Sequence, residues 1–170
     1  MKNVTVIVTD IKVGTAYITS YPYRPNKPRI LYSVPLYRVT IKGRNDVNNL
    51  VTEDFEAIRF GVYRTKNEGP KIVGLADYQT HTLTWDYITT MNDDAWRVYD
   101  GFFIHQGPSN PSSGSYGSIG CIEICGLGEW DRFNDTIKKI TGINSLTQIS
   151  YNKLVTVEYE RAERPSLTRI

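Results

Sequence analysis

Apolar residues along the chain follow two different periods. Up to about position 105 they come in short runs rich in Val, Ile, Tyr and Thr: "VTVIVT", "TAYITSY", "RILYSVPLYRVTIKG" and "AIRFGVYR". Turn clusters such as "RPNKP", "GRND" and "KNEGP" separate them. β-branched and aromatic residues suit pleated, half-buried surfaces, and Gly, Pro and Asn interrupt them, so this part of the chain predicts strands. "GFFIH" reads as one more, a buried strand. "TEDFEAI" allows two readings: a short helix with Thr52 as its cap, or a direct run into the following strand.

The period changes in "GEWDRFNDTIKKITG". Trp130, Phe133, Ile137 and Ile140 follow one another at spacings of 3, 4 and 3, which places them on one helical face. Glu129 and Asp131 lie at the positive end of the helix dipole, Lys138 and Lys139 at the negative end, and Gly142 is placed to stop the helix. The pattern predicts a helix packed on a sheet, followed by a closing strand, "KLVTVEYE", and a tail, "RAERPSLTRI". No internal repeat is visible.

A chain of 170 residues with 40% hydrophobic content is long enough for one domain with a real core. The expected organisation is a single domain over residues 1–160 with a tail over 161–170. Net charge is +2, divided as 12 basic against 7 acidic residues up to position 85 and 8 against 11 after it, without a run of like charge. Nucleic-acid binding, which calls for clustered Lys and Arg, is not expected. No stretch of eighteen apolar residues is present and the start has no signal-peptide pattern, so neither a membrane span nor a classical export signal is expected.

The two cysteines, Cys121 and Cys125, flank "IEI". On a strand their Cα atoms stand about 13 Å apart, beyond disulfide reach, so both are expected as free thiols. With two histidines in the whole chain a sulfur-and-imidazole zinc site is poorly supplied, and no cofactor is expected. His81, among polar neighbours, reads as structural, and Cys125 as a small core residue.

The stretch "GFFIHQGPSNPSSGSYGSIGCIEICG" is where chemistry concentrates. Thiol catalysis needs a base to take the proton, backbone N–H groups to receive charge on the attacked carbonyl oxygen, and room for substrate. His105 ends an apolar strand and can be the base if the Gly/Ser/Pro/Asn loop after it folds back. Gly120, next to Cys121, allows a sharp turn in which the N–H groups of Ile119, Gly120 and Cys121 converge. Taken singly, a strand-end histidine is more often a hydrogen-bonded structural residue, and a cysteine in an apolar strand a core hydrophobe.

"FFIHQG" followed by "SIGCIEI" resembles the signature of L,D-transpeptidase catalytic domains, the YkuD-like family. In that family a strand-borne histidine is followed, after a loop, by Ser/Thr-His-Gly-Cys and an apolar residue. The helix and closing strand extend the resemblance over residues 96–160. It implies a mainly β, sandwich-like fold with one packed helix near the C-terminus. It also implies that Cys121 attacks a peptide carbonyl, His105 activates it, the Gln106 backbone carbonyl orients the imidazole, Ser118 braces the loop, and Gly120 with Cys121 binds the oxyanion. The substrate would be a peptidoglycan stem peptide, cut between an L-centred residue and D-alanine through a thioester. Water as acceptor makes the enzyme an L,D-carboxypeptidase, and an amine a transpeptidase.

Three departures from the family pattern stand in this sequence. Ile119 replaces the histidine before Gly120, the loop is shorter, and Glu123 occupies the position where the family commonly has Arg. A carboxylate there reverses the local charge and makes Glu123 a candidate for substrate choice. Tyr116 and Trp96 are candidate substrate walls. The expected place of action is the bacterial cell envelope, periplasm or wall, reached by non-classical export or with a leader that has been trimmed from this chain. A secretion machine or an immunity partner is the expected companion if the chain is a toxin or lysis protein. The rival reading is a non-enzymatic cell-wall or protein-binding domain that keeps the fold.

Overall fold

The computed structural model describes residues 2–170. Thirteen strands and two helices follow one another in chain order: β1 (Val4–Ile18), β2 (Tyr21–Pro22), β3 (Tyr32–Arg44), β4 (Leu50–Ile58), β5 (Gly61–Arg64), β6 (Lys71–Val73), β7 (Gln79–Thr82), β8 (Thr84–Ile88), β9 (Asp93–Tyr99), β10 (Phe102–Gln106), β11 (Ile122–Cys125), α1 (Glu129–Thr141), α2 (Leu146–Tyr151), β12 (Val155–Tyr159) and β13 (Thr168–Arg169). The protein is mainly β with one main helix, as the two periods in the sequence predict.

The large sheet runs β7-β12-β1-β3-β4-β11-β10-β9-β8, and a small sheet runs β2-β5-β6. β1 and β3 are long because both bend. Their antiparallel register shifts between Val8 and Lys12 and again before Gly14, and such irregularities turn a strand pair and sharpen its twist. As a result one half of each strand faces the main core (Val4, Val6, Val8, Val39, Ile41) and the other a second core (Ala16, Ile18, Tyr32, Val34, Leu36) shared with β5. The large sheet curls far enough for His81 on β7 to stack on Tyr99 of β9, 4.8 Å between ring centroids. His81 also bonds Gln79 through Nε2 at 2.7 Å, the structural role the sequence suggests.

α1 closes the main core with the face read from its spacing. Phe133, Ile137 and Ile140 are fully buried and Trp130 nearly so. Each such side chain contributes about 2 kcal/mol through the apolar surface it removes from water. Gly142 ends the helix in the left-handed region, its N–H bonded to the Lys138 carbonyl.

The structure decides between the two readings of one element and adds to another. "TEDFEAI" lies wholly within β4, where nine residues pair with β3 from Leu36↔Ile58 to Arg44↔Leu50. That ladder outweighs a local cap at Thr52. The tail is also held. β13 pairs with β3, Ala162 N–H bonds the Ala76 carbonyl, and the fully buried Arg59 donates to the carbonyls of Thr9 (2.9 Å), Leu75 (3.1 and 3.2 Å) and Glu160. Arg59 thereby ties the end of β12 to β1 and to the segment after β6.

Candidate active site

β10 and β11 are adjacent and parallel, in the register Ile104↔Ile122, His105↔Glu123 and Gln106↔Ile124. Paired residues on neighbouring strands project to the same face, as do residues two apart along one strand. His105, Glu123, Phe103 and Cys121 therefore share a face, and all four line one cleft of about 570 Å³. The loop from 107 to 121 is the crossover that a parallel pair requires.

That loop is well anchored. A 3₁₀ turn at Pro111–Ser113 is capped by Asn110, whose Oδ1 accepts from Ser112 N–H. Ser115 exchanges backbone bonds with Tyr17 and Thr19 at the end of β1. The cysteine-bearing segment lies directly on the small sheet. A Cβ on Gly61 would stand 1.9 Å from the Ser118 carbonyl oxygen, and one on Gly120 would stand 2.5 Å from the Gly74 Cα. Gly120 also has φ +104°, which side-chain-bearing residues avoid. Glycine at these two places lets the backbone before Cys121 sit where it does.

His105 Nδ1 bonds the Gln106 backbone carbonyl at 2.8 Å. A carbonyl only accepts, so Nδ1 carries the hydrogen and a neutral His105 presents Nε2 as its free base. Burial lowers the His105 pKa, while the Gln106 bond and the charge of Asp93 oppose the shift. The Cys121 thiol is buried and donates to the Gly101 carbonyl at 3.6 Å. Burial pushes its pKa up to about 11, and the charge of Glu123 adds to the effect. Glu123 is itself 5% exposed. Burial raises its carboxyl to about 8, opposed by its bond from Ser118 Oγ at 3.5 Å. Ser118 Oγ also accepts from Gly120 N–H at 3.4 Å, so Ser118 links the turn to Glu123. Burial thus favours the protonated form of both the thiol and the carboxyl on the cleft floor.

Most of the residues singled out from sequence meet here: His105, Ser118, Cys121, Glu123 and Tyr116 line the cleft, and Gly120 and Gln106 act through their backbone. Trp96 is a correction. It is fully buried in the main core, its indole N–H donating to Asn134 Oδ1 at 2.9 Å, because its position on β9 pairs it with Ile104, whose side chain faces inward. Cys121 and Cys125 are both free and buried. Among the described residues no group of three or more His, Cys, Asp or Glu side chains could hold a metal ion, and no helix is long and apolar enough to cross a membrane.

Sequence reasoning did not single out several of the cleft residues, Phe103, Asp100, Arg97 and Arg24 among them. Phe103 lies on the histidine strand itself, Asp100 just before it, and Arg24 comes from "YPYRPNKP", which reads locally only as a turn. The aromatic residues around Arg24 were the available signal. Comparison with known protein families, with curated proteins and with solved structures returned no match to this chain.

Proposed function

We propose that the Cys121 cleft is the reaction centre of a cysteine-dependent acyl transfer on peptides, in an L,D-transpeptidase-like domain acting on peptidoglycan stem peptides at the bacterial cell envelope. The observation that carries this reading is the shared face of β10 and β11. His105, with Nε2 left free by the Gln106 bond, and Cys121 open into one cleft.

In the reaction, Cys121 Sγ gives its proton to His105 Nε2 and attacks the carbonyl carbon of the bond before D-alanine. The carbonyl oxygen takes negative charge, which the N–H groups around Gly120 and Cys121 receive. The C–N bond then breaks, the departing amine takes the proton from the imidazole, and a thioester remains on Cys121. Water or an amine attacks the thioester, His105 accepts the incoming proton, the C–S bond breaks, and His105 returns that proton to the departing sulfur, which restores the Cys121 thiol and the neutral imidazole.

One observation favours a second reading, a binding domain without turnover: the thiol rests on the Gly101 carbonyl and is held protonated by burial. The deciding experiment incubates the protein with tetrapeptide-stem muropeptides, with and without an amine acceptor. Loss of D-alanine release or dimer formation in Cys121→Ala and His105→Ala, with both retained in Cys125→Ala, supports acyl transfer. A wild-type protein that binds the stem peptide and turns over none of it supports the binding domain.

A further inference from the structure

We propose that Arg24 forms an anion subsite on the wall of the Cys121 cleft and takes the free carboxylate of a peptide ligand there. Arg24 follows β2 and lines the same cleft as His105 and Cys121. Its guanidinium carbon lies 4.4 Å from the centroid of the Tyr116 ring and 5.9 Å from that of Tyr21. Among the described residues it makes no ion pair, and its Nε is buried without a hydrogen-bond partner. A buried donor left unpaired is uncommon in folded proteins and needs an explanation.

The neighbouring charges make the contrast clear. Arg97, on the same cleft, is already committed: its Nε pairs with Asp86 at 2.9 Å and its Nη1 donates to the Asp100 carbonyl. Glu123, on the floor, holds its proton near neutral pH and supplies no standing counter-charge. Asp100 is the other carboxylate lining the cleft, and Arg24 is held in no ion pair with it or with any other described residue.

The Tyr116 ring lies against the guanidinium and leaves its terminal N–H groups for a ligand. Nε is covered, so the terminal Nη groups are the donors open to the cleft, and they can meet the two oxygens of a carboxylate. The tyrosines limit the side chain's rotations, so less freedom is lost when the ligand arrives. The site itself stands on this geometry; its meaning for catalysis rests on the acyl-transfer reading above. Under that reading, a carboxylate on Arg24 beside Cys121 selects peptides with a free C-terminus close to the bond attacked, hence removal or exchange of a terminal residue.

The test is independent of turnover. Isotopically labelled Cys121→Ala protein is titrated with N-acetyl-D-alanine and, separately, with its primary amide, at constant ionic strength so that general screening is held fixed. The acid is expected to shift the Arg24 Nε–H resonance and the backbone amides of 116–121 saturably, binding about tenfold more tightly than the amide. Adding Arg24→Gln abolishes the preference. Equal effects of acid and amide, or no response at Arg24, overturn the proposal, and this comparison decides even if Arg24→Gln fails to fold. An inactive wild-type protein that still prefers the acid would sink the acyl-transfer reading and leave the subsite standing.

Discussion

His105 and Glu123 are direct partners across the parallel strands β10 and β11, with both side chains in one cleft and the carboxyl further bonded to Ser118. The pairing puts an acid whose proton is retained to about pH 8 beside a base whose affinity for protons is lowered. Burial drives both shifts toward the neutral form.

For Glu123 the consequence is a stability that depends on pH. The unfolded chain loses this proton near the ordinary value of 4.5, and the folded protein near 8. Between those values the folded state binds more protons, so stability falls as pH rises and levels off above about 8. Glu123→Gln removes the titration, and its advantage over the parent should grow across that window by roughly a few kcal/mol. His105 gives the opposite slope below its ordinary value of 6.5, where the unfolded chain binds the extra proton. That contribution is common to both proteins and cancels in the difference. Denaturant unfolding at a series of pH values measures it, and a difference constant with pH would show that Glu123 is ionised in the fold.

Gly61 offers a test of how the cysteine loop is placed. A Cβ there would meet the Ser118 carbonyl at 1.9 Å and the Gly120 nitrogen at 3.2 Å, both of them backbone atoms that cannot swing aside. Gly61→Ala should displace the turn that carries Ser118 and Cys121 and cost about 1–3 kcal/mol in stability. Turnover of stem peptide should drop by about tenfold or more, since small misplacements at a reacting centre are costly. Full activity in a stable Gly61→Ala protein would mean that the turn is not held by β5.

The parts of this fold legible in the sequence are those where local pattern and tertiary packing agree. Trp130, Phe133, Ile137 and Ile140 mark α1 because their spacing is also the spacing of their burial. α2 is not legible because Leu146 and Ile149 are its only aliphatic residues and its cap, Ser145, resembles any loop serine. Thr52, Glu53 and Asp54 look like a helix start, yet β3 supplies a nine-residue partner strand that no local window contains. At the site, His105 and Cys121 could be paired through the loop between them. Arg24, 97 positions from Cys121, reaches the cleft only through the small sheet, and the aromatic residues beside it are the one local sign of that.

Trp96 tests the line between core and cleft. Its indole N–H satisfies Asn134, which is buried and also donates to the Trp130 carbonyl. Trp96→Phe removes that donor, leaves the Asn134 oxygen unpaired and opens a small gap, so it should destabilise by about 2–4 kcal/mol. Activity per folded molecule should be unchanged, because Trp96 does not line the cleft. A turnover defect at temperatures where the variant is fully folded would return Trp96 to the list of substrate contacts.

The role of His105 as a base can be separated from a structural one by the pH dependence of Cys121 alkylation. With the thiol at about 11, roughly one molecule in ten thousand is thiolate at pH 7, so iodoacetamide should label Cys121 slowly there and about tenfold faster for each added pH unit. Cys125, at about 12, should lag behind Cys121 throughout, which peptide mass mapping can follow. If Nε2 of His105 takes the thiol proton, His105→Ala should slow labelling several-fold near neutral pH. The deficit should vanish well above pH 9, where hydroxide removes the proton without help. In turnover the same variant should lose about 10²–10⁴-fold, the usual worth of a positioned base. A labelling deficit that persists unchanged at high pH would mean that His105→Ala has closed or distorted the cleft, and the assignment of His105 as the base would fall.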